Sequence, residues 1–107
     1  MDLLQGTLDL LVLKTLVLGP LHGWGISKRL RQLSDDALAV GQGSLYPALY
    51  RLEERGWISS RWVEKAEQRR RRYYSLTSEG QKVLRAQRKS WKEFVTAMSL
   101  VTGVKNA

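Results

Sequence analysis

The chain has 107 residues, with 18 lysine and arginine residues against 10 aspartate and glutamate residues, and its net charge is +8. This length allows one small domain, or one domain with an additional helix. The charge favours a polyanionic partner, nucleic acid first and an anionic membrane surface second. The absence of cysteine and the single histidine, His22, exclude disulfides, thiol catalysis and cysteine- or histidine-rich metal sites.

The first predicted element is an apolar helix near the N-terminus. Thr7 can cap it, Asp9 lies favourably in its first turn, and Gly19-Pro20 ends it at about Leu18. Leucine and valine cover nearly every side, which predicts burial on several sides, partly against a second subunit. The segment lacks the features of a signal peptide and is shorter than the ~20 apolar residues of a membrane span, so we expect a cytoplasmic protein.

A second helix follows, with a basic outer side. Ile26, Leu30 and Leu33 form an apolar stripe at helical spacing, and Lys28 lies off this stripe. His22 stands beside two glycines in the turn that enters the helix. We interpret it as a turn or packing residue.

The segment GQGSLYPALYRLEERGW (41–57) predicts a third helix that begins with Ser44 as its N-cap and ends at Gly56. Pro47 would then lie in the first turn, where its missing N–H costs no hydrogen bond. Helical spacing places an apolar set inward and a mixed set outward. The inward set is Leu45, Ala48, Leu49 and Leu52, and the outward set is Ser44, Tyr46, Pro47, Tyr50, Arg51, Glu54 and Arg55.

After the third helix the periodicity changes to about two. This change predicts strands in WISSRWVE (57–64) and RRYYSLT (71–77), with the charged segment KAEQRR (65–70) at the tip of a hairpin. Four adjacent arginines at 69–72 repel one another, and a nearby polyanion would explain them better than a solvated strand. We interpret Trp57 and Trp62 as residues that pack in the core and in the hairpin.

The last predicted element is a long helix with Thr77 as N-cap and Gly103 at its end. Two series of residues spaced by seven follow one side, like the a and d positions of a coiled coil. We predict that this seam pairs with a second subunit, and packing on the helix's own domain is the alternative. The predicted seam consists of Leu84, Gln87, Trp91, Phe94, Met98 and Val101.

This element order predicts a mainly α fold with a small β-hairpin. We expect a winged helix-turn-helix DNA-binding domain over residues 1–78 and a C-terminal dimerisation helix over 79–107. The third helix would enter the major groove by its N-terminus, and the hairpin would form a wing against the flanking backbone or minor groove. The predicted DNA-contact residues are Lys28, Gln42, Ser44, Tyr46, Pro47, Tyr50, Arg51, Arg69, Arg70 and Arg71.

Four blocks of the sequence resemble the PadR family of bacterial transcriptional regulators: LLQGTLDLLVLKTL (3–16), GPLHGWGI (19–26), GSLYPALYRLEERGWI (43–58) and RRYYSLTSEG (71–80). Trp24 stands where the family often has tyrosine. The resemblance, to the short form with one C-terminal helix, implies a winged-helix homodimer whose last helix crosses to the partner. It also implies repression from an inverted-repeat operator, relieved by a small-molecule inducer in some members.

The resemblance also raises the question whether Trp91 contacts a small-molecule ligand. In some multidrug-binding relatives a tryptophan near this part of the last helix lines a pore between subunits, and Trp91 is the matching residue. A plain packing role in the seam is the interpretation we favour.

Two other functions share parts of the pattern. One is a basic RNA- or ribosome-associated winged helix, which needs no two-fold dimer, and the other is a helical module that binds a partner without nucleic acid. We do not expect an enzyme or a cofactor, because the sequence offers no nucleophile–base pair, no paired carboxylates in a cleft and no phosphate-binding glycine loop. The expected function is a homodimeric repressor that binds double-stranded DNA, with no membrane partner.

Overall fold

The computed structural model describes residues 5–65 and 69–103. The predicted fold class, mainly helical with a small β-hairpin, is confirmed. No helix within the described residues is long and apolar enough to cross a bilayer. The elements in chain order are α1 (Gln5–Thr15), β1 (Leu21–His22), α2 (Gly23–Leu33), α3 (Gln42–Glu54), β2 (Ile58–Lys65), β3 (Arg69–Leu76) and α4 (Ser78–Thr102).

Helix α1 lies at the centre of the molecule and differs from the prediction at both ends. It already includes Gln5, so the prediction that Thr7 caps it is wrong. It ends at Thr15, and the chain continues in turns, with the Leu16 N–H donating to the carbonyl of Leu13 at 3.2 Å. Leu18 therefore lies beyond the helix and is exposed.

The core forms where α2, α3, α4 and the sheet pack around α1. The predicted inward set of α3 is confirmed, since all four of its side chains are buried. In α2 the predicted stripe is buried at Ile26 and Leu30, but Leu33 is exposed at the last residue of the helix. The buried apolar residues are Leu8, Val12, Leu13, Leu16, Ile26, Leu30, Leu45, Ala48, Leu49, Leu52, Ile58, Tyr74 and Leu84.

Helix α3 begins earlier than predicted. Gly41, with extended backbone and no side-chain cap, is the N-cap, and Ser44 lies inside the first turn. The Ser44 N–H donates to the carbonyl of Gly41 at 3.1 Å. Pro47 therefore lies in the second turn, so its predicted place in the first turn is wrong. Its missing N–H leaves the carbonyl of Gly43 without the usual helical donor.

The two strands of the hairpin are confirmed, but the predicted tip (65–70) is too long, because β2 extends to Lys65 and β3 begins at Arg69. The third strand of the sheet was not predicted. Strands β2 and β3 are antiparallel, from Ile58 opposite Leu76 outward along the wing. The short strand β1 pairs with the other edge of β3, with His22 opposite Tyr73. A two-residue strand has no periodicity, so it could not be recognised from the sequence. Residues 66–68 of the predicted tip lie outside the described residues.

The start of α4 agrees with the prediction, and the helix packs closely against the backbone that precedes β2. The Thr77 hydroxyl accepts from the Gly80 N–H at 3.0 Å and donates to the carbonyl of Gly56 at 2.7 Å. A Cβ atom at Gly80 would lie 2.0 Å from the carbonyl oxygen of Trp57. The helix therefore rests directly on the backbone that leads into β2. Gly103, with φ of 74°, ends the helix as predicted.

Gly80→Ala should lower the free energy of unfolding, because the added methyl group collides with backbone that cannot move aside. Overpacking of this kind costs about 1–3 kcal/mol. Gly6→Ala is the matched control, since a Cβ there meets nothing within 4 Å and alanine is the better helix former. Denaturant unfolding at fixed protein concentration measures both. Equal stability of the two variants would contradict the packing described for α4.

Candidate nucleic-acid interface

The outer side of α3 presents polar and aromatic side chains in its first three turns. Gln42, Ser44, Tyr46, Pro47 and Tyr50 are exposed, as predicted. The Tyr50 hydroxyl donates to the Glu54 carboxylate at 3.3 Å. Because the inner side of the same helix is fully buried, its outer side is free to meet a partner without disturbing the core.

Tyr46 reaches the beginning of α2. A Cβ atom at Gly23 would lie 2.7 Å from the Tyr46 hydroxyl oxygen, so glycine permits this close approach of α2 and α3. His22 caps α2, with its Nδ1 accepting from the Gly25 N–H at 3.0 Å, and its ring stacks on Tyr73 at 5.3 Å. The interpretation of His22 as a turn and packing residue is confirmed.

Arg51 does not face outward as predicted. Its Nη2 donates to the Asp9 carboxylate at 2.8 Å, and Arg55 lies 3.6 Å from the other oxygen of the same carboxylate. The Asp9 side chain is only 6% exposed and the Arg51 side chain 25%, whereas Arg55 is half exposed. The pair of Asp9 and Arg51 therefore joins α3 to α1 beneath the surface. The Arg51 guanidinium contacts α1 although helical spacing predicts an outward direction, because spacing does not show where the end of a long side chain lies.

The wing is held against α3 by a polar network that the sequence did not predict. Arg72 donates to the Glu53 carboxylate at 2.8 Å and to the Ser60 hydroxyl at 2.9 Å, and Ser60 donates to Glu53 in turn. The Arg72 guanidinium also lies over the ring of Tyr74. Burial raises the pKa of the Tyr74 hydroxyl, and Arg72 opposes part of that rise. Arg72 is therefore engaged in positioning the wing.

Three of the remaining predicted cations lie around one cleft between α2 and the wing, with a volume of about 390 Å³. Arg70 and Arg71 line it together with Tyr46. Lys28 stands beside it with its Nζ 5.0 Å from the Trp24 ring. Arg69 begins β3, but its side chain lies outside the described residues. The structure thus brings the first turns of α3, the wing and the outer side of α2 to one surface.

The distal part of α4 carries a second exposed surface. Trp91 and Met98 are 45% and 46% exposed, and the ring of Trp91 stacks on Phe94 at 5.7 Å. Gln87 and Val101 are also exposed. Leu84 differs, because it is buried in the core of its own chain and has no free surface for a second subunit. Cavities of about 520 Å³ lie on both sides of Trp91.

Three packed helices followed by a two-stranded wing, with the outer side of α3 free, define a winged helix-turn-helix. The chain belongs to the PadR-like family of transcriptional regulators, and the family's sequence model matches residues 12–86. The resemblance carried by the four sequence blocks is therefore confirmed. The family consists of regulators of transcription rather than enzymes.

Solved structures of such regulators resemble this chain over most of its length. A transcriptional regulator from Clostridium thermocellum is 33% identical over 94% of this chain and 96% of that chain, with a TM-score of 0.79. A PadR-like transcription factor from Bacteroides fragilis is 31% identical over 91% of each chain, with a TM-score of 0.77. Bacillus subtilis PadR, in complex with operator DNA, is 24% identical over 75% of this chain and 45% of that chain, with a TM-score of 0.68. At this identity the likeness to the Bacillus protein shows the fold alone.

Asp9→Asn should lower the free energy of unfolding, because it leaves the Arg51 guanidinium partly buried without its counter-charge. Breaking a buried pair costs about 3–5 kcal/mol, and we expect about 1–3 kcal/mol here because Arg51 is 25% exposed. Asp36→Asn is the control, since Asp36 is exposed and pairs loosely with Arg31 at 3.5 Å. Its left-handed φ of 65° also suits asparagine. Denaturant unfolding that ranks the two variants equally would contradict the role given to Asp9.

Proposed function

We propose that this chain is a homodimeric, sequence-specific DNA-binding repressor that acts in the cytoplasm at an inverted-repeat operator. The observation that carries the proposal is the juxtaposition of the exposed first turns of α3 with an arginine-bearing wing on a chain of net charge +8. The operator complex of Bacillus subtilis PadR, which has the same fold, supports DNA as the partner.

The first turns of α3 would read the major groove. Gln42 and Ser44 offer polar groups to base edges and phosphates, and Pro47 lies between the two exposed tyrosines on the same helix. The rings of Tyr46 and Tyr50 suit the methyl group of thymine, and their hydroxyls suit phosphate oxygens. We leave Arg51 out of this surface, because its guanidinium is bound to Asp9.

The wing and α2 would supply sequence-independent contacts to phosphates. We assign Arg69, Arg70 and Arg71 of β3 to this role, together with Lys28 of α2. Arg70 and Arg71 are neighbours on a strand, so their side chains leave opposite faces of the hairpin. They would therefore reach different phosphates. Arg72 contributes indirectly, because its contacts with Glu53 and Ser60 hold the wing in place.

The exposed side of α4 would form the dimer. Its apolar side chains Trp91, Phe94, Met98 and Val101 are about half exposed or more, and the molecule is elongated, at 54 × 28 × 22 Å. We propose that Gln87, Trp91, Phe94, Met98 and Val101 pair with the same helix of a second copy. Gly80 and Leu84 pack in the winged-helix core, so the dimerising part of the proposed 79–107 segment begins after Leu84.

Packing between subunits is the first role we propose for Trp91. Contact with a small-molecule inducer is the second, because the cavities beside it have apolar walls and are large enough for a small ligand. The dimer does not depend on that second role.

Mapping the binding sites of the intact protein on genomic DNA tests the proposed function. Discrete sites with two-fold symmetry are the expected result, since a two-fold dimer reads two related half-sites. Retention of RNA in place of duplex DNA would support the RNA-associated alternative and overturn the proposal. Binding sites without two-fold symmetry would overturn two parts of the proposal, the inverted repeat and the dimer.

Replacing Trp91 and Met98 together by glutamate should give monomers, because four charges would enter an apolar seam. Operator affinity should fall steeply, since two linked half-sites bind far better than one. Lys89→Glu is the control, because Lys89 is exposed on the other side of the same helix. Sedimentation velocity at micromolar concentration measures the oligomeric state. A wild-type monomer, or an unchanged dimer in the double variant, would contradict the seam.

Tyr50→Ala should weaken binding to a mapped operator by ~1–3 kcal/mol if its ring contacts a base. Binding to a random duplex of the same length should change much less, because base contacts contribute little there. The random duplex serves as the internal control in the same titration. Equal losses on both duplexes would show that Tyr50 touches only the DNA backbone.

A further inference from the structure

Trp24 and Trp62 are exposed to solvent on the side of the molecule that the proposed function places against DNA. Trp24 is 62% exposed and Trp62 is 57% exposed. Trp24 belongs to the first turn of α2, and Trp62 belongs to β2. Both line the 390 Å³ cleft that also contains Tyr46. The packing role predicted for Trp62 therefore does not account for most of its surface.

The sheet register explains why Trp62 points into this cleft. Residues directly opposite each other on paired strands share a face, so Trp62 lies on the same face as Arg72, and Ser60 lies two residues before it on that face. Ser60 and Arg72 both contact Glu53 of α3. The indole of Trp62 therefore lies on the α3 side of the wing, further towards its tip.

A cationic side chain lies over each of the two indole rings. The Nζ of Lys28 lies 5.0 Å from the Trp24 ring centre, and the guanidinium carbon of Arg70 lies 5.2 Å from the Trp62 ring. Such contacts hold long side chains in one arrangement, which lowers the entropy lost when they bind a ligand. Both walls of the cleft thus combine a flat apolar surface with an ordered positive charge.

The composition of the cleft selects its occupant. Arg70, Arg71 and Arg72 line it, but Arg72 is bound to Glu53 and Arg71 leaves the opposite face of β3, so Arg70 brings the positive charge into the cleft. No carboxylate lies among the described residues of the lining. An anionic chain with apolar units between its charges fits these walls, and a sugar–phosphate strand has that chemistry. The cleft is also continuous with Tyr46, which the proposed function places at the major groove.

We propose that this cleft holds one sugar–phosphate strand of duplex DNA, with deoxyribose packed on Trp24 and Trp62 and the adjacent phosphates paired with Lys28 and Arg70. The proposal rests on the proposed function and deepens it. It assigns the two indoles to affinity rather than to sequence reading. Apolar contacts release no counterions, so they change affinity without changing its dependence on salt.

Binding titrations at several salt concentrations, on a mapped operator and on a random duplex, test the cleft. Trp24→Leu and Trp62→Leu should each weaken binding about three- to thirtyfold on both duplexes. The slope of log affinity against log salt should remain that of the wild type. Arg70→Ala should flatten that slope by about 2 in the dimer, at roughly 0.9 for each phosphate contact.

Leu33→Ala is the control for loss of an exposed apolar side chain, because Leu33 lies on α2 outside the cleft lining. It should bind both duplexes as the wild type does. Acrylamide quenching of tryptophan fluorescence gives a second measurement. Duplex DNA should protect the wild type from quenching, and Trp24→Leu and Trp62→Leu should each lose part of that protection.

The outcomes separate the cleft from the proposed function. Failure of the wild type to bind any duplex would overturn the proposed function together with the cleft. Wild-type binding with unchanged affinity in both tryptophan variants, or with unchanged quenching, would overturn the cleft alone. A loss confined to the operator would also overturn it, because the indoles would then read sequence. Denaturant unfolding of both variants should match the wild type, since the replaced side chains are exposed.

Discussion

The contact between the Glu53 carboxylate and Arg72 determines how the wing stands relative to α3. Both side chains are partly exposed, so the ion pair itself adds little to stability. Its effect is geometric, because Ser60 closes a three-residue network between one helix and both strands of the hairpin. On the opposite side of α3, Asp9 binds Arg51 and Arg55. The helix is therefore fixed from both sides near its C-terminal end, and its outer side from Gln42 to Tyr50 remains free for a partner.

The cations around α3 and the wing fall into two groups that differ in their contacts. Arg51 and Arg72 face carboxylates and hold elements together, whereas Lys28 and Arg70 lie over indole rings beside an open cleft. The first group makes the surface rigid and the second gives it charge. Two clusters of exposed apolar side chains lie in the cleft and on the distal half of α4. Each patch is larger than isolated exposed residues would give, and each has an occupant in the proposed assembly.

Much of the fold could be predicted because local signals agreed with tertiary packing. The apolar spacing of α3, the change of period at the hairpin, and Thr77 and Gly103 at the ends of α4 all agree with the structure. The errors have physical causes. Gly41 caps α3 through its backbone alone. Ser44 has the better side chain for a cap, and for this reason the predicted start of the helix lies too far along the chain.

The candidate site was predicted less completely than the fold. Helical spacing gives the direction of a Cβ atom but not the reach of a guanidinium, so the partners of Arg51 and Arg72 were missed. The sequence predicts a packing role for Trp62 and no role for Trp24, since local sequence does not reveal whether an indole is covered. Their exposure depends on how the wing, α2 and α3 meet, which is a property of long-range contacts.

The proposed function requires α3 and the wing to act as one rigid DNA-binding surface. A double-mutant cycle of Glu53→Gln and Arg70→Ala, measured as affinity for a mapped operator, shows whether they do. If Glu53 holds the wing in place, Arg70→Ala should cost less in the Glu53→Gln background, with a coupling energy of at least about 0.5 kcal/mol. Additive effects, within roughly 0.3 kcal/mol, would show that the wing binds DNA independently of α3 and would contradict the claim.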